Sequence, residues 1–365
     1  LSTGCSEHAP SSTIKSAPLS SKVLSSLTLE EKIGQMLMLD FQGTQVSADL
    51  LKTIGEIKPG GLILYAGNIS SPLQTVSLTG QLQASSSIPL FIATDQEGGT
   101  VSRINGGTAM PPALALGATG SPQLSYQAGL ATGEELKAMG INMDLAPVLD
   151  VWHESASASL GSRCFSSDPN TVGEMGLAFT RGLNDAGVIS CAKHFPGHGL
   201  APVDSHLDIP VVEASRSQLN VDLKPFQQLF AGGADMVMTA HVAYPALDST
   251  QVISMKTGQQ IILPASLSTG ISTDLARREM GYQGVVMTDS LFMRPVVENF
   301  GAQEEVAVMA VKAGADLLLV QKDPFSVRQR IVKAVRSGEI SEARIDESVQ
   351  RLLQLLGVAV RRHQQ

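Results

Sequence analysis

The stretch Val188-Ile189-Ser190-Cys191-Ala192-Lys193-His194-Phe195-Pro196-Gly197-His198-Gly199 reads as a buried strand that empties into a loop. Its first five residues are apolar or small without alternation, the pattern of a strand covered on both faces. Pro196, Gly197 and Gly199 then rule out a helix and free the backbone for tight turns, so the polar side chains are carried on a loop folded back on itself. With Asp204-Ser205-His206 close behind, three of the chain's seven histidines fall between residues 193 and 206.

The same unit recurs along the chain. Apolar, strand-length runs lie at 36–41, 60–65, 90–95, 143–150, 236–241, 285–290 and 317–320. Between them, helical spacing or helix formers fill 47–58, 72–85, 122–139, 169–186, 216–231, 267–280, 303–313, 325–336 and 343–356. Continuous apolar strands alternating with helices predict an α/β fold with a parallel sheet, and eight such units predict a single-domain (β/α)8 TIM barrel rather than an open sheet. No G-x-G-x-x-G turn follows the first strand to suggest a dinucleotide fold.

The expected division is a Ser/Pro-rich tether over 1–25, the barrel over 26–358 and a short tail over 359–365. Thr28 and Glu31 have the spacing of a capping box for the first helix. Polar residues end strand after strand: Asp95, Asp150, Lys193 with His194, His241 and Asp289. A barrel brings those ends to one rim, where chemistry is carried, although Asp40 and Asp150 read equally as braces for loops. The segment 242–266 is long for a connection and predicts a small hairpin within 251–262, either an exposed insertion or a partial lid.

Composition narrows the function classes. A chain of 365 residues fits a barrel of about 250 residues plus insertions. Hydrophobic residues at 43% with 16% charged describe a globular protein with an aliphatic core. The net charge of −8 and the scattering of 26 Lys and Arg argue against a nucleic-acid partner. Cys5, Cys164 and Cys191 do not make a disulfide scaffold. No stretch is apolar and long enough to span a membrane. Leu1-Ser2-Thr3-Gly4-Cys5 resembles a lipoprotein cleavage site, which would place a lipid anchor on Cys5 and the protein at the cell envelope or secreted; an ordinary chain start would instead fit the cytoplasm.

Seven ordered motifs carry a family resemblance: Asp95-Gln96-Glu97-Gly98-Gly99 with Arg103, Ala146-Pro147-Val148-Leu149-Asp150, Gly161-Ser162-Arg163-Cys164-Phe165, Lys193 to Gly199, Asp204-Ser205-His206, Ala240-His241-Val242 and Thr288-Asp289-Ser290-Leu291. Over about residues 28–356 the chain resembles glycoside hydrolase family 3, and within it the β-N-acetylglucosaminidase branch. The resemblance implies a retaining mechanism with Asp289 as nucleophile and His206, oriented by Asp204, as acid/base. It implies Asp95, Arg103, Arg163, Lys193 and His194 as contacts for a carbohydrate substrate, a terminal β-linked N-acetylglucosaminide of cell-wall muropeptides or chitin fragments. No cofactor is required, and a monomer is expected. The Asp204-x-His206 loop would supply the acid/base from the barrel itself, as suits a one-domain enzyme.

Histidine suits that role because its ordinary pKa lies near working pH, so one imidazole can give and take the same proton. Taken alone, the same residues allow blander readings. Asp289 is also a helix N-cap, Asp204-Ser205-His206 a capped turn, Arg163 a loop brace and Arg103 a surface residue. His198 reads as a loop stabiliser and His241 as a cavity-lining residue. His194, His198, Asp204, His206 and His241 also offer metal ligands, although Lys193 would repel a cation. A β-glucosidase of the same family and a non-catalytic sugar-binding lipoprotein complete the alternatives. Thr100, Gly67-Asn68 and Cys164 depart from the family's usual Arg, Arg-Asn and Ser, which leaves fine specificity and loop packing open.

Overall fold

In the computed structural model, which describes residues 17–154 and 160–364, each of the eight apolar runs contains a strand buried along its length. The candidate anchor at Cys5 lies outside the described residues. The strands are β1 (Leu37–Leu39), β2 (Gly61–Ile63), β3 (Phe91–Thr94), β4 (Met143–Asp144), β5 (Ile189–Phe195) and β6 (Met236–Thr239), then a separate pair β7 (Gln251–Ile253) and β8 (Gln260–Ile262), and finally β9 (Val285–Thr288) and β10 (Leu318–Val320). Eight pair in the order β10-β1-β2-β3-β4-β5-β6-β9, all parallel. A bridge between Met287 and Leu317, with Thr288 N–H on the Leu317 carbonyl at 3.1 Å, closes β9 onto β10. The expected barrel is therefore what the chain forms.

The paired segments are short, so the polar residues that end the runs lie just past the last ladder bonds. Asp95 follows β3 and Asp289 follows β9, while Lys193 and His194 sit in the irregular end of β5, where its register against β6 shifts. That geometry gathers side chains from distant sequence positions at one end of the barrel.

Helix boundaries follow local chemistry. The Thr28 and Glu31 capping box is formed, and Ser71, Ser121 and Asp168 cap helices Pro72–Ala84, Pro122–Ala138 and Pro169–Ala186, each with proline in its first turn. Gly129 and Gly182 let the last two cross closely: a Cβ on either would meet a backbone oxygen of the other helix at 2.2 Å. Where 267–280 predicts a regular helix, Gly270–Glu279 is a π-helix.

Several elements differ from expectation. Ala17–Ser26, overlapping the end of the expected tether over 1–25, is a helix packed against the final helix Glu342–Gln364, with Val23 and Leu24 on the core. Pro18 is tolerated because it lies in the first turn. The final helix runs to Gln364, past the expected boundary at 358. Helices Ala113–Ala118 and Arg294–Phe300 are too short for periodicity to announce. The hairpin of β7 and β8 forms as expected, and Ser254 Oγ to Asn299 Oδ1 at 2.7 Å with Lys256 to Glu298 at 2.9 Å tie it to Arg294–Phe300.

At the opposite end of the barrel from the polar rim, Asp316 is fully buried just before β10. Its carboxylate accepts from Arg277 at 2.5 Å, Val286 N–H at 3.0 Å, Ser348 Oγ at 2.7 Å, Arg351 at 3.1 Å and Arg344 at 3.2 Å. One carboxylate thus joins the π-helix, β9 and the final helix. Asp316→Ala leaves three guanidiniums without their shared counter-ion and is expected to destabilise the fold by about 3–5 kcal/mol. Urea denaturation checks this, and a loss below about 1 kcal/mol would contradict it.

Candidate active site

The C-terminal ends of the strands surround a cavity of about 370 Å3. Asp95, Glu97, Arg103, Arg163, Lys193, His194, His198, Asp204, His206 and Asp289 all line it, so the residues that the resemblance implies as nucleophile, acid/base pair and sugar contacts are brought to one place. Its charged wall is built around Lys193. The ammonium is 2.7 Å from Asp95 Oδ1 and 2.7 Å from Glu97 Oε1, and Arg163 grips Glu97 through Nε at 2.7 Å and Nη2 at 2.9 Å. Arg103 Nη2 is 3.8 Å from Asp95.

These contacts fix the charge states. Burial alone would raise the Glu97 pKa, but Lys193 and Arg163 outweigh it and hold the carboxyl down at about 2. Burial would lower Lys193, but Asp95 and Glu97 raise it above its usual value. The wall therefore presents paired carboxylate acceptors and cationic donors, which suits recognition of a polyhydroxylated ligand. Glu97 is the residue that sequence reasoning passed over; the signal was its i+2 spacing from Asp95. Gln96 faces the other way, accepting from Arg103 N–H at 2.8 Å and Ile104 N–H at 3.3 Å, and so shapes the loop that carries Arg103.

Asp150 is a brace, the second of its two expected uses. Fully buried, it accepts from His194 Nδ1 at 2.7 Å and from the backbone N–H of His194 at 3.2 Å and His198 at 2.7 Å. Burial would raise its pKa, but the His194 ring and these donors hold it at about 2. The contact puts the Nδ1 proton of His194 on the carboxylate side and leaves Nε2 for the cavity. His198 is fixed through its backbone, and burial brings its pKa down to about 4, so it is neutral at neutral pH.

Asp204 and His206 form a pair. Asp204 Oδ1 lies 2.8 Å from His206 Nδ1 and also accepts the His206 backbone N–H at 2.9 Å, while the Asp204 carbonyl accepts from Leu207 N–H at 2.9 Å. The capped turn and the oriented imidazole are the same structure. The His206 side chain is 70% exposed at the mouth of the cavity, whereas His194 is buried within it.

Asp289 faces the cavity from the end of β9, with its Oδ1 accepting Ser290 N–H at 2.7 Å. Burial would raise its pKa, but His241, His194, the Ser290 N–H and His206 together lower it, so the carboxylate is ionised. His241 departs from expectation: it does not line the cavity. Its Nδ1 is 2.6 Å from Ser266 Oγ and its Nε2 is 3.0 Å from the Ser290 carbonyl, which makes Nε2 the donor, and burial lowers its pKa. It is a buried support behind Asp289. No cavity-lining residue comes from 242–266, and the hairpin strands are largely exposed. Among the described residues, no three His, Cys, Asp or Glu side chains are grouped so as to hold a metal ion.

Comparison with known proteins points the same way. Residues 28–355 match the glycosyl hydrolase family 3 N terminal domain. The β-hexosaminidase A of Pseudoalteromonas piscicida is 36% identical over 90% of this chain, and the β-hexosaminidase of Nitrosomonas eutropha is 33% identical over 87%. This chain spans 61% of the first and 91% of the second. Among solved structures, a glycoside hydrolase family 3 β-N-acetylglucosaminidase from Paenibacillus sp. superposes with a TM-score of 0.87 at 41% identity, covering 92% of this chain and 63% of its own. The β-N-acetylhexosaminidase of Beutenbergia cavernae gives 0.81 at 29% identity, covering 91% and 99%.

The two depressed carboxyls make acid stability a test of the wall and the brace. Asp150 and Glu97 hold native values of about 2, below unfolded values of about 4. Their contribution is complete above about pH 4 and is lost as pH falls through about 2. Melting temperature measured from pH 6 to pH 2 should fall most steeply below about pH 4, with a shallower fall in Asp150→Asn; equal slopes would count against the brace.

Proposed function

The chain belongs to glycosyl hydrolase family 3, and from that premise we propose that it is a retaining exo-glycosidase that releases terminal β-linked N-acetylglucosamine. The observation that carries this reading is one cavity holding both an ionised strand-end carboxylate, Asp289, and a histidine oriented by an aspartate, His206 with Asp204. The names of the relatives support the substrate class. The cavity volume of about 370 Å3 suits one glycosyl unit, at the small end of ordinary ligand sites of about 300–1,000 Å3.

In the proposed first step Asp289 attacks the anomeric carbon while His206 Nε2 gives its proton to the departing glycosidic oxygen. The C–O bond to the leaving group breaks as the bond to the Asp289 oxygen forms. Asp204 on Nδ1 keeps the mobile proton on Nε2 and stabilises the charged ring. In the second step water attacks the anomeric carbon, its proton goes to His206, and the bond to the Asp289 oxygen breaks, which releases the sugar and restores the carboxylate and the charged imidazole. Asp95, Arg103, Arg163, Lys193 and His194 hold the sugar, with Glu97 fixing Lys193 and Arg163. The exposure of His206 supports proton transfer on the solvent side, where the leaving group would depart and water arrive. Muropeptides or chitin fragments would supply such a terminus. None of these steps needs a cofactor.

Hydrolysis of 4-nitrophenyl N-acetyl-β-glucosaminide, beside the matching glucoside and xyloside, tests the reading. Asp289→Asn should lose about 10³-fold or more in kcat. His206→Ala should lose about 10²–10⁴-fold with a poor leaving group and much less with an activated one, because the latter needs no proton. Undiminished turnover by Asp289→Asn would refute the mechanism.

A further inference from the structure

Tyr65 lines the same cavity just beyond β2, and the reaction above gives it no task. Its backbone N–H donates to Asn68 Oδ1 at 2.8 Å, and the Asn68 amide donates to the carbonyls of Phe41 at 3.0 Å and Gly43 at 2.8 Å. The ring is therefore mounted on a fixed loop. At the far end its hydroxyl is 3.3 Å from Gln321 Nε2. Gln321, just past β10, is itself held by its N–H on Gln303 Oε1 at 3.0 Å, and its Oε1 accepts from Ser290 Oγ at 3.0 Å. A chain of hydrogen bonds runs from Ser290, the neighbour of Asp289, through Gln321 to Tyr65.

That chain has a direction. With Ser290 donating to Oε1, Nε2 donates to the phenolic oxygen, and the phenolic hydrogen is left for another partner. Turning the amide over would aim that hydrogen at Gln321 instead. The hydrogen bonds take the first arrangement, and Asp95 and Asp289 line the same cavity as this hydroxyl. Burial and the same carboxylates raise the phenol's pKa, so it remains a neutral donor. The cationic donors Lys193 and Arg163, by contrast, are already engaged by carboxylates.

Resting on the glycosidase reading, we propose that Tyr65 is a specificity-determining residue for the sugar, donating its phenolic hydrogen to the oxygen of a ring hydroxyl whose own hydrogen Asp95 accepts. A sugar hydroxyl is donor and acceptor at once, and a carboxylate beside a fixed neutral donor satisfies both halves. A sugar that lacks that hydroxyl, or carries it inverted, leaves Asp95 and Tyr65 without a ligand partner, which is how a hydroxyl-binding site rejects an analogue.

The test compares wild type with Tyr65→Phe, by calorimetric titration with N-acetylglucosamine and its 3-, 4- and 6-deoxy analogues and by hydrolysis of the corresponding aryl glycosides. Tyr65→Phe should weaken the parent sugar's binding and kcat/KM by about tenfold. For one deoxy analogue it should cost nothing further, since that partner is already missing. Matched melting temperatures verify the fold, and Gln321→Met, which removes the holder, should reduce the same discrimination. No loss on the parent sugar, or an equal loss on every analogue, overturns the proposal; the latter would mean that Tyr65 acts through Ser290 and Asp289. A wild-type protein that binds the sugar without cleaving it refutes the reaction alone, and the titrations then judge Tyr65. A wild-type protein that binds none of these sugars overturns both.

Discussion

An ammonium group cannot be left alone inside a protein, and the active end of this barrel is arranged around that constraint. Lys193 is 3% exposed at the end of β5. Removing its charge from water costs several kcal/mol unless partners stand within hydrogen-bond reach. Asp95 and Glu97 supply them from the end of β3, and Glu97 in turn requires Arg163 from a different loop. Each charge is there because another is. The outcome is a wall of alternating sign whose geometry is set before any ligand arrives, which is the preorganisation that polar recognition needs.

Asp289 and His206, the proposed nucleophile and proton carrier, are held by opposite means. Asp289 projects from a strand of the closed barrel and is backed by His241, whose ring nitrogens are both satisfied by Ser266 and Ser290. His206 stands on an exposed turn, and its orientation depends on a local contact two residues away. A nucleophile must hold its line of attack within narrow tolerance, so rigidity serves it. A proton carrier must meet leaving groups of varied shape and then water, so a position at the mouth serves it better. The two placements differ because β5 ends in a loop while β9 ends against a buried support.

Much of this was legible in the sequence, for physical reasons that also mark where legibility stops. Strands buried on both faces must be continuously apolar, so all eight announce themselves, and Ser or Asp before Pro marks the helix starts. Helices of six or seven residues, such as Ala113–Ala118 and Arg294–Phe300, carry too few turns to show a period. Ala17–Ser26 was hidden because Ser and Pro there describe a linker until the final helix gives Val23 and Leu24 something to bury against. Asp289 and the Asp204–His206 contact lie in motifs that the sequence displays in order, whereas the fates of His198 and His241 were not legible there. Which ring nitrogen is satisfied, and by what, depends on residues such as Asp150, Ser266 and Ser290 that lie far away in the chain.

Asp316 shows the same constraint answered differently at the other end of the barrel. There one buried carboxylate gathers three guanidiniums and leaves nothing for a ligand to complete. At the rim, the carboxylates and cations pair with one another but line an open cavity, so each retains lone pairs or hydrogens that only a bound molecule can use. The difference lies in what covers the charges. The final helix closes over Asp316, whereas the strand ends of the rim are followed by loops that stand apart around a space. A parallel barrel makes this asymmetry systematic, because its strand termini separate into two ends. Charge burial at one end can then serve stability without touching the chemistry at the other.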